Sequence, residues 1–176
     1  MGSTIYLALG LYPILDYISG TSSEVPSVDS RRPFDIIVHL HGFLVPIVIL
    51  VLFWKIFTSP IDSFLLLGVI SVGFSSGASG IITAHELGHR KPKSFSWWLA
   101  RLDLLCVNYL HFTVEHNHTH HKHWARPIDP TSAPVGRNIY YHFLRTIPLQ
   151  IRGAYKARPK DVRLSFFAEA ILLISL

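Results

Sequence analysis

Residues 38–57 (VHLHGFLVPIVILVLFWKIF) and 62–84 form two long apolar runs, parted only by a Thr58-Ser59-Pro60 turn. Twenty residues rising about 1.5 Å each as a helix match the roughly 30 Å hydrocarbon core of a bilayer. Backbone groups in hydrocarbon must be satisfied within their own segment, so such runs have to be helical there. The two runs therefore predict a hairpin of membrane helices, the second rich in the Gly and Ser that let such helices pack closely. Composition agrees: 49 % hydrophobic residues, 11 phenylalanines and a mean hydropathy of +0.35 exceed what a soluble fold of 176 residues usually carries. Residues 4–19 read as part of another span, residues 20–37 as a polar connection, and residues 164–176 as the start of a further span about half a bilayer long. The expected fold is all-α, an integral, multi-pass membrane helical bundle.

Charge sets the expected topology. Arg90, Lys91 and Lys93 follow the second span at once, which by the positive-inside tendency places that end on the cytoplasmic side, the inner face of the cytoplasmic membrane if the chain is bacterial. Residues 122–163 carry nine Lys or Arg against Asp129 and Asp161 and read as a cytosolic segment by the same tendency. The net charge of +5 and pI near 9.5 point to membrane topology and not to nucleic acid, because the basic residues sit beside apolar stretches and build no recognisable nucleic-acid module. Residues 95–112 are apolar but hold Arg101 and Asp103, whose burial in hydrocarbon costs several kcal/mol. An interfacial helix is expected there, with Trp97 and Trp98 at headgroup level. A lone cysteine, Cys106, excludes an intramolecular disulfide and any multi-thiolate metal site made by this chain alone.

Two histidine boxes lie against this apolar frame. The first is His85-Glu86-Leu87-Gly88-His89, and the second is Glu115-His116-Asn117-His118-Thr119-His120-His121-Lys122. Imidazole is the commonest protein metal ligand. On an α-helix, residues four apart lie about 40° apart around the axis, so His85 and His89 share a face, as do His116 and His120. His121 is rotated by roughly 100° from His120, an arrangement that favours two metal ions over one. Glu86 and Glu115 can ligate, or can hold imidazole N–H groups from behind. The first box alone also fits the HExxH pattern of zinc proteases. A zinc protease, however, needs only three protein ligands, so five or more histidines exceed its demand. A histidine-rich storage tract is a further reading, although storage does not need helical spacing. His39, His41 and His142 read as ordinary packed or surface histidines, and His118 and His123 as weaker candidates for ligation.

The motifs resemble those of the membrane-bound alkane monooxygenase family, within the histidine-box diiron membrane enzymes that include fatty acid desaturases and xylene monooxygenases. That family's first box reads HELxHK, matched by His85 to Arg90 with Arg in place of Lys. Its second reads EHxxGHH, matched by Glu115 to His121 with Thr119 where glycine is usual. Pro13-Ile14-Leu15-Asp16 and the run Pro127-Ile128-Asp129-Pro130-Thr131-Ser132-Ala133, similar to a PEDPASA segment, extend the likeness.

The resemblance implies a desaturase-like membrane fold in one partial hydroxylase domain over residues 1–176, with the histidine boxes on the cytosolic face. It implies two iron ions held by His85, His89, His116, His120 and His121, with Glu86 and Glu115 behind them and dioxygen as co-substrate. It further implies terminal hydroxylation of medium- or long-chain alkanes drawn from the lipid bilayer, with electrons from a rubredoxin-type donor and its reductase. An acyl-chain desaturase or a xylene monooxygenase-like enzyme is the alternative, although desaturase boxes usually lack Glu beside the first histidine and before the second. The family's third box, resembling LQRHSDHH, has no match in residues 122–176, so the chain is expected to be a fragment that is inactive alone.

Overall fold

The computed structural model describes residues 6–21 and 31–174, all helix, turn and loop with no strand among the described residues. The chain forms two compact units, Met1–Val107 and Asn108–Leu176.

In the first unit, helix α1 (Leu7–Ser19) opens with a π-helical turn and ends at Gly20, whose φ of 68° is left-handed. Residues 22–30, half of the connection expected over residues 20–37, fall outside the described residues, and from Arg32 onward the chain is already helical. Helix α2 (Arg32–Thr58) starts with proline in its first turn, where a missing N–H costs nothing. Helix α3 (Ser63–Gly88) is capped by Asp62, whose Oδ1 accepts from the Leu65 amide at 2.8 Å. Both α2 and α3 are long and apolar enough to cross a membrane, and each extends the expected span: α2 begins six residues before residue 38, and α3 runs on into the first histidine box, to Gly88. Only 11 % of the most apolar window of α2 is buried, so Leu40, Leu44, Ile47 and Leu50 face outward. An apolar face of that size is stable against lipid and costly against water.

Helix α4 (Phe95–Cys106) is capped by Ser94 and packs on α2 and α3. The interior of this unit is small and tight. Leu87, Ala84, Leu99, Ala100 and Leu104 are buried, and Gly42 of α2 lets the chains approach: a methyl group there would stand 3.0 Å from Leu99 Cδ2 and 3.2 Å from Leu87 Cδ1. The helix expected over 95–112 is interrupted after Cys106, where Asn108 takes a left-handed φ of 53°, a conformation asparagine tolerates better than most residues.

The second unit contains α5 (residues 112–123), α6 (Ile139–Ala157) and α7 (Pro159–Ile174). Val114, Ala154 and Val162, one from each helix, form its apolar centre. Polar groups are tied inside as well: the Leu110 amide donates to Glu169 Oε1 at 2.7 Å, the Thr146 hydroxyl to the Pro130 carbonyl at 2.8 Å, and the Tyr109 hydroxyl to Gln150. The polar segment expected over 122–163 thus contains a regular helix, α6, capped by the Asn138 side chain at the Tyr140 and Tyr141 amides. The helix that carries the apolar stretch expected from residue 164 begins earlier, at Pro159, with a charged first turn.

Candidate metal centre

The first box occupies the last turns of α3, just after a π-helical turn at Ser76–Gly80. Small side chains allow that turn, and the hydroxyls of Ser79 and Thr83 donate back to the carbonyls of Ser75 and Ser79 at 2.8 and 3.0 Å. Leu87, completely buried, fixes the rotation of the final turn. His85 and His89 then stand together with Nε2 atoms 3.2 Å apart and rings perpendicular. Glu86 accepts from Arg90 at 3.2 Å, and Arg90 also reaches Asp35 at 2.7 Å, which ties this end of α3 to the start of α2.

The remaining histidines of this unit have local partners. His39 donates from Nδ1 to the Asp35 carbonyl at 2.6 Å, which leaves Nε2 to accept from Ser96 at 2.9 Å. His41 Nδ1 meets the Thr83 hydroxyl at 2.7 Å. These are the packed histidines that the sequence suggests.

The second box contains the main departure from expectation. Residues His116–His120 form a π-helical turn between α-helical turns at Phe112–Glu115 and His121–His123. Widening the turn by one residue makes positions five apart share a face. His116 therefore meets His121, Nε2 to Nε2 at 3.0 Å. His120, the expected partner of His116 by α-helical spacing, stacks on it with ring centroids 5.2 Å apart but points Nδ1 elsewhere, to Asp129 Oδ2 at 2.9 Å and the Thr131 hydroxyl at 2.5 Å. Asp129 is the residue that sequence reasoning missed. It is 1 % exposed and accepts from the Thr131 amide and from the hydroxyls of Thr131 and Ser132. The signal lay in the PIDPTSA run, which the resemblance marked without assigning its carboxylate a task.

These contacts set the electrostatics. Burial acts to raise the Asp129 carboxyl, but the hydrogen bonds from Ser132, Thr131 and His120 outweigh it and hold the group below the usual carboxylate range. An ionised Asp129 accepts from Nδ1–H of His120, keeps the proton on that nitrogen and leaves the Nε2 lone pair for a metal ion. Burial, with Asp129 as a second cause, pushes Glu115 up to about 7, and both its oxygens are buried without a hydrogen-bond partner. His118 is exposed on this helix.

A metal ion suits this donor set. Two nitrogens each about 2.1 Å from one ion, at about 90–100° to one another, lie about 3.0–3.2 Å apart. Both imidazole pairs have that separation, His120 has the tautomer a metal requires, and the orphaned Glu115 carboxyl adjoins the box where a cation would compensate it. The set contains no sulfur, which selects iron, copper, nickel or zinc by the chemistry of imidazole.

Comparison with known proteins identifies the class. A family model described as fatty acid desaturase matches residues 63–172, from the start of α3 into α7, and the chain belongs to that family. Among its relatives are alkane 1-monooxygenase 1 of Alcanivorax borkumensis, 36 % identical over 88 % of this chain, and the alkane 1-monooxygenases of Ectopseudomonas oleovorans and Pseudomonas putida, 32 % and 30 % identical over 84 % and 88 %. The resemblance to alkane monooxygenases read from the boxes is thereby borne out. The chain spans about two fifths of the length of these relatives: 39 %, 38 % and 40 %. With its two apolar helices, it is a membrane protein.

Proposed function

We propose that residues 1–176 are part of a single multi-pass membrane hydroxylase domain with both histidine boxes on the cytoplasmic side, and that the boxes serve one diiron centre. His85, His89, His116, His120 and His121 hold the metal in this reading, with Asp129 fixing His120 from behind and Glu115 nearby as a buried acid. The reaction is the oxygen-dependent terminal hydroxylation of a medium- or long-chain alkane to a primary alcohol. The observation that carries the reading is the pairing of imidazoles at 3.2 and 3.0 Å on helix turns, in a chain whose matched relatives are named alkane 1-monooxygenases.

Iron bound by such nitrogen donors supplies the activation of dioxygen and the reactivity toward a strong C–H bond. The rest is done by the chain. The outward apolar faces of α2 and α3 suit lipid, the phase into which an alkane partitions, so substrate approaches from the bilayer. Asp129 keeps the His120 proton on Nδ1. Electrons come from a rubredoxin-type protein with its reductase.

Cells that express the natural gene and receive an alkane under ¹⁸O₂ test the reading by product analysis. A 1-alkanol carrying one labelled oxygen, lost in His85→Ala and His121→Ala, is expected. An alkene-bearing acyl chain in place of an alcohol would favour the second reading, a desaturase, which the description of the family model keeps in view.

A further inference from the structure

The second unit contains a cavity of about 600 Å³ between the second box, the Pro127–Pro130 segment and α6, open to the surface. Lys122, Arg145, Arg152 and Lys156 line it together with His118 and His123, and no Asp or Glu does. Ile128 and Leu149 contribute an apolar wall, and Gly153 brings α6 against the Thr119 side chain at its base, where a methyl group would stand 3.3 Å from Thr119 Cγ2.

The charge of this unit is one-sided at its surface. Glu115, Asp129 and Glu169 are buried, and Asp161 has Arg158 at 3.9 Å. Cations brought together with no carboxylate among them repel one another, and an anion in the cavity removes that cost. Helix α6 adds a second observation. At 100° per residue, Arg145, Arg152 and Lys156 fall on one narrow stripe of α6. Tyr140, Leu144, Ile147 and Tyr155 fall on an adjacent stripe that is exposed, Leu144 to 78 %. A basic stripe beside an exposed apolar stripe is the arrangement of a helix lying in the headgroup region.

We propose that this cavity binds the phosphate of an anionic phospholipid, with the arginines and lysines on the phosphate oxygens and the exposed stripe of α6 along the acyl chains. A soluble phosphate would satisfy the cations and leave the apolar stripe uncovered, whereas a phospholipid answers both.

Native mass spectrometry of the purified, delipidated protein in detergent, given phosphatidylglycerol or phosphatidylcholine, tests the proposal. One phosphatidylglycerol is expected to be retained about tenfold more strongly than phosphatidylcholine, and Arg145→Gln/Arg152→Gln to lose that preference. Lys160→Gln/Arg163→Gln, which removes two cations of α7 outside the cavity, is expected to keep it, and helical circular dichroism verifies that both variants fold. Equal retention of the two lipids, or equal loss in the two variants, overturns the proposal. Displacement of the lipid by millimolar inorganic phosphate, or retention of polyglutamate in its place, overturns it too, in favour of a soluble anion or an acidic protein. Metal content of the same samples reports separately on the histidine boxes, so failure here is distinguishable from failure of the proposed function.

Discussion

Asp129 shows how much of a site depends on a side chain that touches no substrate. Its carboxylate decides which nitrogen of His120 carries the proton, and Thr131 and Ser132 hold the carboxylate in place. Partners of this kind typically contribute 10–100-fold to metal affinity. Asp129→Ala is therefore expected to lower iron affinity by about one to two orders of magnitude, and Asp129→Asn by less, because the amide oxygen still accepts from Nδ1. Iron titration into the metal-free protein measures both, and equal losses would show that the carboxyl does not act on the His120 tautomer. Asp103 presents the opposite case: it is 1 % exposed, both its oxygens lack partners, and burial pushes its carboxyl up to about 7 from 3.8. The folded chain thus retains a proton that the unfolded chain releases between these values, and its stability falls as pH rises from about 4 to about 7. Asp103→Asn is expected to match the native chain in thermal unfolding near pH 4 and to exceed it at pH 8, by on the order of a few kcal/mol. An unchanged difference across that range contradicts the assignment.

Among the elements, regular periodicity was readable and its local breaks were not. The apolar length of α2 and α3 is visible in the sequence, as is the His85–His89 pair, because that turn is an ordinary α-turn. The π-turn at His116–His120 is not, since α-helical spacing pairs His116 with His120 and only the widened turn selects His121. Helix α6 contains Pro148, a residue that usually breaks a helix. Its missing N–H frees only the Leu144 carbonyl, and both residues lie at the surface. The π-turn makes an uncommon prediction. Deleting the exposed Asn117 returns the turn to α-helical spacing and keeps His116 and His121 on one face, four apart. Inserting one alanine after Asn117 places them six apart. Metal analysis is expected to find most of the metal in the deletion variant and little in the insertion variant, and equal loss in both would exclude the register account.

For the whole molecule, membrane character follows from two long helices whose apolar faces are largely exposed among the described residues, and the family follows from the match over residues 63–172. The proposed topology rests on a charge bias alone, because hydrophobic length identifies a crossing without giving its direction. Cysteines introduced at Lys91 and Lys122, in a Cys106→Ser background, should both react with an impermeant maleimide only after the cytoplasmic face is opened. Labelling of one of them from the outer face would separate the two boxes. The central claim, that these boxes build a histidine-ligated diiron centre, is tested most directly by iron K-edge X-ray absorption on the natural protein loaded with iron. The account predicts two iron ions per chain with nitrogen and oxygen neighbours at about 2.1 Å, imidazole outer-shell scattering and no sulfur. Sulfur in the first shell, or a protein that takes up zinc and excludes iron, would contradict it.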